Sequence, residues 1–146
     1  ALVRNGDSLI APPWRIMYRL VKTDPSLAAG MLAEFQRRGE AVLVAESLAY
    51  LAYDKDRQER SSLLPISLED DGRFLGALFK EEGAEWLSAR LSESVELYRQ
   101  RVSANEVGAD FLERYRETLE FAAGFLDDRE TRKGLTEIIR RAFGMS

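Results

Sequence analysis

Apolar residues recur every three or four positions along most of this chain, a spacing typical of amphipathic α-helices. The longest such run extends from Ala84 to Ser103 and carries Leu87, Leu91, Val95, Tyr98 and Val102 at intervals of four, four, three and four. A second run follows, for which Asn105 is the expected N-cap, with Leu112, Tyr115, Leu119, Ala122 and Leu126 on one face. No segment alternates apolar and polar residues as a strand does, so the pattern predicts an all-α fold.

Two helices are predicted before residue 40. Pro13 suits the first position of a short helix that ends near Val21. Thr23 or Asp24, followed by Pro25, then provides the cap and first position of another helix. Its predicted buried face consists of Leu27, Met31, Leu32 and Phe35, and the small residues Ala28, Ala29 and Gly30 would permit close packing. Gly39 ends this helix.

The segment Glu40 to Tyr53 is apolar on almost every side, which predicts a central helix packed against several neighbours. Ser67 and Asp70 have capping-box spacing and begin a further helix that Gly83 closes. Asp127 or Asp128 caps the last helix. The apolar face of the helix after Ser67 consists of Phe74, Leu75, Leu78 and Phe79. That of the last helix consists of Leu135, Ile138, Ile139, Ala142 and Phe143.

We therefore predict a single-domain helical bundle of six or seven helices. At 146 residues the chain is long enough to bury about two thirds of its unfolded surface around one core. Residues 1–12 contain turn and proline signals and are expected to form an irregular, flexible arm. Residues 54–66 are charged and then turn-like, so we expect an internal loop there.

Composition narrows the chemistry, because the chain contains neither cysteine nor histidine. Thiol and imidazole nucleophiles, and metal sites built on those ligands, are thereby excluded. The adjacent acids Asp70 and Asp71 are expected on an exposed helix, where they cannot act across a cleft. Neither a nucleophile elbow nor a glycine-rich phosphate loop is present. We predict no catalytic residues, no metal and no cofactor, and hence a non-enzymatic protein.

The formal net charge of −4 argues against nucleic acid as a partner, since phosphate binding needs clustered cations. No apolar stretch approaches the roughly 18 residues of a transmembrane helix, and the N-terminus lacks the apolar region of a secretory signal. We therefore expect no membrane contact and a cytoplasmic location.

A polar cluster on the central helix is the first candidate site. Glu46, Tyr50, Tyr53 and Arg57 fall at spacings of four, three and four, so they would point the same way. An acid in an apolar wall can have its pKa raised and act as an acid or base, while phenols give a small apolar or anionic ligand hydrogen bonds and flat walls. Alternatively, Glu46 pairs with an arginine of a neighbouring helix and the tyrosines are half-buried core residues.

The second candidate is an N-terminal patch that interleaves cations with aromatic rings. Trp14, Arg15, Tyr18 and Arg19, with Arg4 and Lys22 nearby, could bind an acidic partner helix or a phosphate-bearing ligand. In the alternative, this first helix is docked on the bundle and its basic side faces acids of the same chain.

These features lead to two functional hypotheses. The first is a helical protein-interaction module, an adaptor, regulator or accessory subunit, with self-association into a homo-oligomer. The second is a small-molecule-binding helical domain whose pocket lies on the face of Glu46, Tyr50 and Tyr53. The size and helical pattern would also suit the ligand-binding half of a bacterial repressor or a small assembly chaperone, as an analogy of architecture alone.

Overall fold

The computed structural model describes residues 13–50 and 67–145, which form seven α-helices and no strand. The helices are α1 (Pro13–Leu20), α2 (Pro25–Arg37), α3 (Ala41–Tyr50), α4 (Leu68–Glu82), α5 (Ala84–Ser103), α6 (Phe111–Ala123) and α7 (Arg129–Ala142). They confirm the predicted all-α bundle. The expected arm 1–12 and loop 54–66 lie outside the described residues, as does the predicted end of the central helix at Tyr53.

Local caps begin α2 and α4 where the sequence predicts them. The Asp24 carboxylate accepts a hydrogen bond from the Leu27 amide at 3.1 Å, and Pro25 occupies the first turn. At α4 the Ser67 hydroxyl accepts from the Asp70 amide at 3.1 Å, while the Asp70 carboxylate accepts from the Ser67 amide at 3.2 Å. This reciprocal capping box satisfies two amides that a helix start leaves unpaired.

Asn105 ends a helix instead of beginning one, which corrects the sequence prediction. Its φ of 62° is left-handed, its amide donates to the Val102 carbonyl at 3.0 Å, and the Glu106 amide donates to the Arg101 carbonyl at 2.8 Å. This is a Schellman motif at the end of α5. Asparagine suits both an N-cap and a left-handed position, so its type alone does not distinguish the two. Asp110 occupies the N-cap position of the next helix, without a capping hydrogen bond from its side chain.

The buried face of α2 also differs from the prediction. Leu27 is 51% exposed, whereas Ala28, Ala29 and Ala33 are buried together with Leu32 and Phe35. The predicted face is thus rotated toward the small residues, because α2 packs against α1, α3 and α4 and small side chains let helices approach closely. Gly30 contributes no close contact, since a Cβ there would meet nothing within 4 Å.

Helices α4 and α5 lie at the centre of the bundle and contact most of the other helices. Helix α4 packs on α2, α6 and α7, α5 packs on α3, α6 and α7, and the two also contact each other. Inside this core the Ser94 hydroxyl donates to the Ala45 carbonyl at 3.0 Å and lies 2.8 Å from the Tyr115 hydroxyl. Burial raises the pKa of Tyr115, so its hydroxyl stays protonated. Helices α3, α5 and α6 are thereby joined by a buried polar contact.

Candidate functional site

Glu46 is paired within the chain. Its Oε2 accepts a hydrogen bond from the Arg101 guanidinium of α5 at 2.9 Å, with both side chains about one quarter exposed. Arg101 also lies 4.9 Å from the centre of the Tyr98 ring and donates to the Tyr98 hydroxyl at 3.1 Å. Although partial burial works against its charge, the hydrogen bond and the negative charge of Glu46 raise the pKa of Arg101. The carboxylate is therefore charge-compensated by a neighbouring helix.

Tyr50, one turn beyond Glu46, packs inside the bundle. Its half-buried ring meets the Tyr18 ring of α1 edge-on, with centroids 4.7 Å apart and planes at 86°. Aromatic pairs favour this geometry, because the positive edge of one ring faces the negative face of the other. Tyr53 and Arg57, the other two members of the predicted ligand site, lie outside the described residues.

The N-terminal patch divides between the interior and the surface. Tyr18 is 2% exposed, and its hydroxyl donates to Asp71 Oδ1 at 2.9 Å, so this residue belongs to the core. Burial, with a smaller contribution from the charge of Asp71, raises the pKa of Tyr18 well above its ordinary value. Arg19 is exposed, and the side chains of Trp14 and Arg15 lie outside the description. The structure thus separates Tyr18 from the exposed Arg19.

Asp70 and Asp71 are both buried, contrary to the prediction of an exposed pair. The first turn of α4 is covered at this point, where Tyr18 reaches Asp71 and the Lys22 ammonium lies 3.4 Å from Asp70 Oδ2. Asp70 also pairs with Arg73. Burial would raise the pKa of Asp70, but the hydrogen bonds from Ser67 and the charges of Lys22 and Arg73 lower it. These contacts connect Tyr18 of α1, and Lys22 just beyond α1, to the first turn of α4.

An acid-aromatic stripe on α6 is the feature that sequence reasoning missed. It consists of Glu113, Glu117, Phe121 and Phe125, each four residues from the next. Phe121 is 66% exposed and Phe125, just beyond the end of α6, is 53% exposed. A signal for this stripe exists in the sequence. Phe121 and Phe125 fall outside the three- and four-residue spacing of the buried apolar face, and two acids precede them at the same four-residue interval.

Among the described residues, the two acids of the stripe are at most weakly paired with cations. Glu113 is exposed and makes no ion pair in the described part of the chain, and Glu117 is 4.0 Å from the Arg116 guanidinium. Glu120, beside the stripe, is instead held by Arg116 at 2.9 Å and by Arg140 at 3.4 Å. A surface groove of about 390 Å³ is lined by Glu117, Glu120 and Phe121. The stripe therefore presents apolar rings next to two exposed acids, of which Glu117 is only distantly paired.

Neither a membrane span nor a metal site is found among the described residues. None of those helices is both long and apolar enough to cross a bilayer, and no three acidic side chains there converge as metal ligands would. Fold and surface together define an all-α helical bundle with an exposed acid-aromatic stripe. Comparisons with protein-family models, with curated proteins and with solved structures find no match.

Proposed function

We propose that this chain is a helical protein-interaction module, an adaptor, regulator or accessory subunit, and that it binds its partner through the acid-aromatic stripe. The observation that carries the proposal is the exposure of Phe121 and Phe125, two large aromatic residues four positions apart at the end of α6. Transferring such a side chain from water to an interface contributes about 1.5–3 kcal/mol. Aromatic side chains are also enriched in the cores of protein interfaces.

The acids of the stripe support the same proposal. Glu113 and Glu117 extend from the rings along α6 and place negative charge at the edge of the apolar surface. An apolar centre with a charged rim is the usual anatomy of a protein interface, in which the rim charges orient the partner. The complementary partner surface is an apolar patch flanked by lysine or arginine.

A small-molecule pocket on α3 has less support, because Glu46 and Tyr50 already make contacts within the chain. Glu46 is paired with Arg101, and the Tyr50 ring is packed against Tyr18. A ligand at these two residues would have to replace existing intramolecular contacts. The ligand-binding hypothesis for this face stays a prediction, and the exposed stripe favours the interaction module.

A paired set of variants tests the proposal. Proteins captured by the tagged wild-type chain are purified individually and titrated calorimetrically against the wild type, against F121S/F125S and against L27S/V42S. The control pair removes two other exposed apolar side chains, 51% and 55% exposed, on α2 and α3. Loss of two central aromatic contacts is expected to weaken binding by at least about a hundredfold, since each 1.4 kcal/mol is tenfold.

L27S/V42S should bind the purified partner as the wild type does. Equal affinities for all three proteins, or a loss confined to L27S/V42S, would show that the partner binds elsewhere. Circular dichroism and thermal unfolding of each variant establish that the bundle is intact, because serine at these exposed positions opens no core cavity.

A further inference from the structure

Helix α1 presents a surface whose chemistry is the reverse of the stripe. Ile16 is 47% exposed and Arg19 is exposed, three residues apart, while Met17, Tyr18 and Val21 face the core. Residues three apart on a helix share a face. Arg19 makes no ion pair within the described residues. Among the described side chains of α1, this outer face therefore combines an exposed apolar residue, Ile16, with an exposed cation, Arg19, that has no ion pair to another described residue.

On each surface the apolar side chain and the charged side chain are separated by a similar distance. Ile16 and Arg19 are separated by about 4.5 Å along the α1 axis, and Glu117 and Phe121 by about 6 Å along α6, at a rise of 1.5 Å per residue. When the two helices face each other, Phe121 can therefore contact Ile16 while Glu117 contacts Arg19, each pair lying within one helical turn of the other. The charges are of opposite sign and the apolar members are both large.

The distribution of charge along the chain also favours a contact between these two surfaces. Residues 1–22 contain four cations against one acid, a net charge of +3, while the chain as a whole carries −4. The remaining residues therefore carry −7. Two copies approaching with the N-terminal part of one toward the acidic body of the other attract each other, whereas approach of the two acidic bodies is repulsive.

Helix α1 packs mainly on α2 and α3 and reaches α4 through the hydrogen bond of Tyr18 with Asp71, whereas α6 packs mainly on α4, α5 and α7. Helices α1 and α6 are not among the pairs that pack extensively on each other. The proposed contact between the outer face of α1 and the stripe is therefore a contact between different copies. A contact between two different surfaces of identical chains is heterologous and, when repeated, builds rings or open chains.

We propose that the stripe of one copy binds the outer face of α1 of a second copy, in a head-to-tail contact of Phe121 with Ile16 and of Glu117 with Arg19. The inference rests on the proposed function and names the partner as the chain itself. Two aromatic side chains supply about 150–250 Å² each at most, less than the roughly 800 Å² per partner of a standard interface. The contact is therefore weak and depends on concentration and salt.

Charge-reversal variants of each surface test this pairing. Their association is measured by sedimentation velocity at low ionic strength, at protein concentrations up to about 1 mM, because a weak contact forms only at high concentration and low salt. The wild type is expected to sediment faster as its concentration rises. E113K/E117K and R19E should each weaken association several-fold. Equimolar mixing of these two variants should restore it, since the introduced lysines of one then face the introduced carboxylate of the other. K133E, which reverses an exposed cation on α7, is the matched control.

Three outcomes would overturn the head-to-tail pairing. These are a wild type that stays monomeric throughout, charge reversals that behave like K133E, and a mixture that associates no better than its components. If the wild type is monomeric but F121S/F125S loses affinity for a different protein, the proposed function stands and self-association fails. If the chain self-associates and F121S/F125S does so equally well, the stripe is not the self-association surface and the head-to-tail pairing fails. If F121S/F125S also binds the purified partner as tightly as the wild type does, the proposed function fails as well.

Discussion

Asp70 combines helix capping with charge pairing at the start of α4. Its carboxylate accepts from the Ser67 amide and hydroxyl, and it faces Lys22 and Arg73. These partners lower the pKa of Asp70 against the opposing effect of burial. Because the folded pKa lies below the unfolded value of about 3.9, the stabilisation is fully present above that pH. It is lost as the pH falls through the folded pKa.

Replacement of Asp70 by asparagine isolates this charge. D70N retains an oxygen that can cap the helix but loses its attraction to Lys22 and Arg73, so we expect about 1–2 kcal/mol lower stability at pH 7. On acidification below pH ~4 the wild type should lose more stability than D70N, and the two should converge. Urea unfolding at pH 7 and at pH ~3 measures both quantities.

D127N provides the control, because Asp127 is an exposed acid between α6 and α7. Its stability should follow the wild type at both pH values. Parallel pH profiles for D70N and the wild type would contradict the assigned role of the Asp70 charge.

The crossing of α4 with α6 depends on a missing side chain. Gly72 is buried against α6, where a Cβ would collide with the Ala122 carbonyl oxygen and lie 3.7 Å from Phe125 Cβ. A helix interior normally loses about 1 kcal/mol when glycine replaces alanine. Glycine is nonetheless placed here because two helix backbones come into contact. This crossing also sets the position of Phe125 at the end of the stripe.

Alanine substitutions at two glycines separate helix propensity from packing. G72A should destabilise the bundle by about 1–3 kcal/mol, because the backbone of α6 has to move. G30A lies within α2 with open space around it and should stabilise by about 0.5–1 kcal/mol. Thermal and urea unfolding of the two variants provide the comparison. A stabilised G72A, or equal shifts for both, would contradict the close crossing.

Predictability from sequence differs between the ends of the helices and their faces. Asp24 and the Ser67–Asp70 box were predicted because a cap depends on a few adjacent residues. The inward face of α2 was not, since the exposure of Leu27 depends on helices distant in sequence. Asn105 was assigned to the wrong end because asparagine serves both ends.

The whole molecule decides which side chains are available for binding. The four-residue spacing of Glu46 and Tyr50 was evident in the sequence, but the pairing of Glu46 with Arg101, 55 residues away, was offered there as one of two alternatives. Phe121 and Phe125 resemble core residues by type, and their exposure follows from the way α6 turns its other face to α4, α5 and α7. The sequence therefore indicated two other candidate surfaces, and the exposed stripe became evident only from the packing of the helices.

Hydroxyl-radical footprinting of the chain with and without its bound partner is the most direct test of the central claim, because it reports the accessibility of individual side chains. The account predicts that labelling of Phe121 and Phe125 falls strongly in the complex, while Leu27 and Val42, comparably exposed in the free chain, are labelled as before. Unchanged labelling of both rings in a saturated complex would contradict the claim that the stripe binds the partner.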